Sequence, residues 1–259
     1  MTQRKPLGGI VTDLRIGLSL ATILPLGPST PVGDGDIARA GWTLPVAGLL
    51  VGLAGAAAYA LAHRLGLAAA PGAILALAGT IIVTGALHED GLADTADGLG
   101  GRSRERKLEI MRDSRIGTYG VCALVISLAL RWSALAAIAA PRSVLIALLL
   151  AHVAARAGLP LFMALVPPAR SDGLSVGAGK PAGPNAAIAL GLGAIVLAIG
   201  FGPGKAILAV ILLAFIGLAT AWLAIRQLGG QTGDILGAYE QLAENAILLM
   251  AASLFHPVS

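Results

Sequence analysis

Three aspartates, Asp90, Asp94 and Asp97, stand in the stretch His88-Glu-Asp-Gly-Leu-Ala-Asp-Thr-Ala-Asp-Gly98 at spacing i, i+4, i+7. At about 100° per residue these positions fall within roughly 60° of one helix face, so the carboxylates converge if the preceding apolar segment continues as helix. Three anions that close repel unless a cation sits among them. An oxygen-only, carboxylate-rich set suits Mg²⁺, with Mn²⁺ as a substitute, whereas zinc wants His or Cys. His88 lies about 200° round the helix from Asp90 and is a poor fellow ligand. Gly91 and Gly98, on an adjacent face, let a substrate or another helix approach the backbone. The plainer reading, a solvated acidic loop, is weaker because ionisable groups at membrane depth usually mark function.

Residues 101–117 carry six basic side chains. Arginine forks match phosphate oxygens, but cytoplasmic loops of membrane proteins are basic anyway and touch anionic headgroups. That second reading fits Arg102, Arg104, Arg106 and Lys107. Arg112, Asp113 and Arg115 instead precede Gly117 and Gly120, where the chain re-enters the membrane beside the aspartates. There they could hold a diphosphate and one further metal contact. A third segment, Leu228-Gly-Gly-Gln-Thr-Gly-Asp-Ile-Leu-Gly237, combines turn glycines with Gln231, Thr232 and Asp234, and reads equally as a helix start or a nucleotide-contacting loop. His152 and Arg156, at i, i+4 on an apolar segment, and Arg131 on another, read as lining a polar cavity or as partners of buried acids.

The elements that must position these groups are membrane helices. Of 259 residues 56% are hydrophobic and 12% charged, with a mean hydropathy of +0.84, whereas a soluble domain carries about 25% charged residues. Six apolar runs, 40–62, 71–87, 120–140, 143–166, 186–201 and 205–225, approach or reach the length of a crossing. Two weaker ones are 7–26, interrupted by Asp13 and Arg15 and suited to the interface, and 243–255, which is short. The expectation is a single all-α domain over residues 1–259, a polytopic bundle of about six to eight hydrophobic helices. Arg4 and Lys5 ahead of an apolar stretch mimic a signal peptide, but no small-x-small cleavage site follows. The lone Cys122 excludes an intrachain disulfide.

The net charge of +4 reflects loop lysines and arginines rather than nucleic-acid binding. Placing 88–118 in the cytoplasm puts 27–39, 167–185 and 226–242 there too. Those loops hold ten Lys/Arg against three, Arg64, Arg142 and Lys205, on the opposite side. The positive-inside rule favours this orientation, and it brings the aspartate segment and residues 228–244 to one face.

At the residues quoted above, the chain resembles the cobalamin synthase family, the adenosylcobinamide-GDP ribazoletransferases. The similarity rests on His88 with Asp90-Gly-Leu-Ala-Asp-Thr-Ala-Asp-Gly98, on Glu109-Ile-Met-Arg-Asp-Ser-Arg-Ile-Gly-Thr-Tyr-Gly120 and on Leu228-Gly-Gly-Gln-Thr-Gly-Asp234, in that order, with Pro45, Gly48 and Gly52 in an early span. Two departures are Glu89, where the family commonly has an apolar residue, and Ile23, where an arginine is common. The resemblance implies a multi-pass enzyme of the cell inner membrane, in contact with lipid and with its active-site loops cytoplasmic. It joins adenosylcobinamide-GDP to α-ribazole or its 5′-phosphate and releases GMP, with Mg²⁺ as the metal. Asp90, Asp94 and Asp97 are then the catalytic and metal-binding aspartates and Asp113 a fourth ligand. Arg112 and Arg115 take the diphosphate, and Gln231, Thr232 and Asp234 the nucleotide or ribazole. Asp97 or Asp234 accepts the hydroxyl proton.

Two rivals remain. A CDP-alcohol phosphotransferase also places an Asp-Gly motif at the end of a membrane helix, but Asp97-Gly98 is followed by Leu-Gly-Gly rather than that family's arginine. A cation transporter could use intramembrane aspartates but has little use for a diphosphate site.

Overall fold

The computed structural model describes residues 9–29, 31–33 and 35–255, apart from the side chain of Leu174. The basic pair Arg4 and Lys5 lies outside them, as does the start of the weak span from residue 7.

The described residues form an all-helical bundle. Helix α1 (Ile10–Ala21) is followed by α2 (Asp36–Ala40), a 3₁₀ turn (Gly41–Thr43) and α3 (Leu44–Arg64). Then come α4 (Ala69–Thr84), α5 (Leu87–Leu99), α6 (Arg104–Ile110) and α7 (Thr118–Ile138). The remainder is α8 (Pro141–Ala157), α9 (Leu159–Leu165), α10 (Leu174–Ala178), α11 (Gly183–Phe201), α12 (Pro203–Leu228) and α13 (Gly233–Phe255).

Among the described residues, five helical stretches are long and apolar enough to cross a membrane: Asp36–Arg64, Thr118–Ile138, Pro141–Leu165, Gly183–Phe201 and Pro203–Leu228. A sixth arises only if α4 and α5 count as one span, and these are bent by 89°. The expected run at 71–87 therefore does not continue as straight helix into the aspartates. Gly85 (φ 63) and Ala86 (φ 58) both adopt the left-handed conformation, which stops one helix and starts the next at a right angle. Such a φ is strained for alanine. On the outer surface, Ile207, Leu208, Ile211, Phe215, Leu218 and Trp222 of α12 are all exposed, as a lipid-facing side requires.

The inner packing is close. A Cβ on Gly48 would run into the backbone carbonyl of His152, and one on Gly52 would stand 2.9 Å from the Leu148 carbonyl oxygen, so these glycines let α3 lie directly on α8. The C-terminal segment, expected to be too short, belongs to α13, whose 23 residues extend about 34 Å at 1.5 Å per residue. Its polar first half escaped notice because Glu240 and Glu244 break the apolar run, yet both are buried. The first helix, α1, has 12 residues, too few to cross. Its buried Asp13 accepts hydrogen bonds from Arg39 and from Trp42 Nε1.

Candidate active site

The site forms where α5 meets α13. Gly91 and Gly237 face each other: a Cβ on Gly91 would lie 2.9 Å from the Asp234 carbonyl oxygen and 3.1 Å from Gly237 Cα. Without side chains at these two positions, the backbones nearly touch, and Asp90 and Asp234 line the same cavity. Asp94 stands one turn further along α5, and the charges acting on it are those of Asp90, Asp234 and Asp97, all negative.

Asp234 is held from two sides. Thr232 donates its hydroxyl hydrogen to Asp234 Oδ2 at 3.1 Å and accepts the Ile235 N–H at 3.2 Å, capping α13. Arg170 reaches the same carboxylate oxygen at 3.6 Å. Gln231 pairs through its backbone with the 167–169 segment, its N–H donating to the Pro167 carbonyl and its own carbonyl accepting from Ala169. Thr232, expected to contact nucleotide or ribazole, is fully buried with its hydroxyl bonded to Asp234 and the Ile235 N–H. Gln231 is also buried, with Oε1 lacking a hydrogen-bond partner among the described residues.

Of the three aspartates of α5, Asp97 also reaches across to the next helix. Asp97 Oδ2 accepts the Gly117 N–H at 2.6 Å and Oδ1 accepts the Gly120 N–H at 2.9 Å. Both oxygens thus cap the first turn of α7, where the orphan N–H groups and the helix dipole favour an anion. Asp113 is engaged elsewhere, because Arg115 donates to both of its oxygens and holds its carboxyl down at about 2. Arg112 pairs with Asp172 at 2.5 Å. Both pairs are exposed, the first within the α6–α7 connection and the second joining it to the segment before α10, and none of the four residues lines the cavity.

Arg104 and Lys107 do not simply await headgroups. Arg104 donates to the carbonyls of Leu228 and Ala169, and Lys107 to Gln227 Oε1, so both secure the end of α12 beside the 228–237 segment. Arg106 instead pairs with Glu109 at the surface.

Beneath the cavity lies a buried ionic network drawn from four helices. Arg131 of α7 meets Glu89 at 3.0 Å and Glu244 at 3.1 Å, and Arg156 of α8 meets Glu240 at 2.6 Å. His152 Nδ1 is 3.2 Å from Glu244, and His88 Nδ1 is 3.4 Å from Arg156. Glu89, the family departure, therefore has a counter-charge. His152, Glu240 and Glu244 are the only three His, Cys, Asp or Glu side chains among the described residues whose ligand atoms come within 4.8 Å of one another. Two guanidiniums already neutralise those carboxylates, so a cation there would have to displace them. Sequence reasoning flagged Arg131, His152 and Arg156 but missed Glu240, Glu244 and Arg170, because their partners are distant in the chain.

The family described as cobalamin-5-phosphate synthase matches residues 13–252. A Bradyrhizobium diazoefficiens protein named adenosylcobinamide-GDP ribazoletransferase is 66% identical over 94% of this chain and 94% of its own length. Proteins of the same name from Mesorhizobium japonicum and Azorhizobium caulinodans are 52% identical over 94% of this chain and 93% of theirs, and 47% identical over 83% and 84%. No solved structure matches the chain. With nearly its whole length inside the match and two-thirds of its residues shared with a full-length relative, the chain belongs to the cobalamin-5-phosphate synthase family.

Proposed function

We propose that this protein joins adenosylcobinamide-GDP to α-ribazole, or to α-ribazole 5′-phosphate, releasing GMP, as an enzyme of the inner membrane whose aspartate site opens to the cytoplasm. The observation that carries this reading is the Gly91–Gly237 crossing, which puts Asp90 beside Asp234 and Arg170 in the lining of one cavity, with Asp94 one helical turn along α5. Membership of the family supplies the chemistry.

The donor set fits a hard divalent cation, since it is made of carboxylates alone and the charges around Asp94 are uniformly negative. Asp90 and Asp94 would hold Mg²⁺, with Mn²⁺ as a substitute. Bound there, the ion supplies charge neutralisation at the diphosphate oxygens and at the departing GMP.

This chain's own groups do the rest. A ribose hydroxyl of the ribazole attacks the cobinamide-linked phosphorus, the bond from that phosphorus to the GMP oxygen breaks, and the hydroxyl proton passes to a carboxylate. Asp234 is the better acceptor. It lines the cavity and is aimed by Thr232, whereas both oxygens of Asp97 already accept backbone N–H groups. Arg112 and Arg115 would take diphosphate oxygens, leaving exposed ion pairs that solvent already screens.

The test is transfer by purified protein in liposomes. Given Mg²⁺, adenosylcobinamide-GDP and α-ribazole, it should release GMP only when both substrates are present, stop on chelation and resume with Mg²⁺. Release of CMP from CDP-diacylglycerol and an alcohol, with no corrinoid product, would replace this reading with a lipid phosphotransferase.

A further inference from the structure

The cavity beside Asp90 and Asp234 has a volume of about 180 Å³. Its lining combines His88, Asp90, Arg156, Arg170 and Asp234 with apolar side chains from α1, α3, α5 and α9, including Leu20, Leu44, Leu87, Leu159, Pro160 and Met163. Within this lining Arg170 Nη2 stands 3.6 Å from Asp234 Oδ2, which places a cation beside the carboxylate assigned to take the hydroxyl proton.

Resting on the function proposed above, we propose that this cavity receives the benzimidazole base of the acceptor nucleoside, with the ribose beside Asp234. Each other piece of the two substrates fits worse. A corrin ring with its amide arms is far too large for the space. Guanine carries donors and acceptors round its edge that Leu20, Leu44 and Met163 would leave unpaired. A dimethylated benzimidazole is small, flat and almost wholly apolar, with one free ring nitrogen, and gains from burial against such side chains. Seated there, it presents its ribose to Asp234, the group assigned to take the hydroxyl proton.

The experiment fills and enlarges the cavity. Met163→Trp and Leu44→Phe should each raise the KM for α-ribazole at least tenfold while the KM for adenosylcobinamide-GDP changes less than twofold. Met163→Ala should move base preference toward bulkier benzimidazoles. Equilibrium dialysis of α-ribazole against the purified protein with EDTA should show binding that both filling variants weaken, and this readout needs no turnover. Unchanged ribazole binding and KM in both filled variants, or a rise in the donor KM instead, overturns the cavity assignment while leaving the transferase reading intact. Failure of the wild-type protein to transfer, with ribazole binding still blocked by Met163→Trp, sinks the activity but not the pocket.

Discussion

Asp97 accepts the backbone N–H of Gly120 at 2.9 Å, so an aspartate of the most conspicuous acidic motif serves as a cap for the next membrane helix. A Cβ on Gly120 would strike that carboxylate; glycine is needed there for the aspartate's sake.

Asp97→Ala should therefore destabilise the protein by about 1–2 kcal/mol, the usual cost of a lost cap, read as a fall in thermal midpoint in detergent. Asp97→Asn should leave the Mg²⁺ concentration for half-maximal activity within twofold of wild type. A tenfold shift would return Asp97 to the metal.

Asp90→Asn and Asp94→Asn should behave oppositely. Each should insert and fold normally but lose activity on the order of 10²-fold or more, about 2.7 kcal/mol in the barrier, because a metal site with few protein ligands cannot spare one. Near-normal turnover at saturating Mg²⁺ in either variant argues against the assignment.

Gly237→Ala places a Cβ 3.2 Å from Gly91 Cα and 3.3 Å from His88 Cα. Backbone cannot swing aside as a side chain does, so α5 and α13 must separate. The expected result is a loss of about 1–3 kcal/mol together with lower kcat, measured by thermal unfolding and turnover of the same preparation.

In the buried network, Glu244→Ala leaves Arg131 and His152 short of a counter-charge and should cost about 3–5 kcal/mol. Glu89→Leu should be far milder, because Glu244 still faces Arg131 and an apolar residue is common there in the family. Expression yield and unfolding temperature of the two variants give the ranking directly.

For topology, a cysteine at position 103 in a Cys122→Ser background should react with an impermeant maleimide only after the cells are opened. Labelling in intact cells reverses the orientation.

The helical class and most spans are legible because long apolar runs leave few alternatives in a bilayer. The 89° break is not, since nothing in Thr84-Gly-Ala-Leu87 announces that an alanine takes a positive φ. Spacing singled out Asp90, Asp94 and Asp97, while the partnership of Asp234 with Asp90 depends on Gly91 meeting Gly237, a contact across almost 150 residues. Periodicity also left the second engagement of Asp97 hidden. A helix face places three carboxylates together but says nothing of the N–H groups that the next helix offers one of them.

The ionic network beneath the cavity has a consequence for how the chain is made. Glu89, Arg131, His152 and Arg156 are synthesised well before Glu240 and Glu244, which complete their charge balance. Until α13 arrives, Arg156 lacks Glu240 and Arg131 has only Glu89 for company within the lipid. Each bare charge there is worth several kcal/mol of disfavour. Maturation is thereby tied to completion. A nascent chain that ends before residue 240 leaves Arg156 without its carboxylate partner, and only the finished polypeptide supplies it.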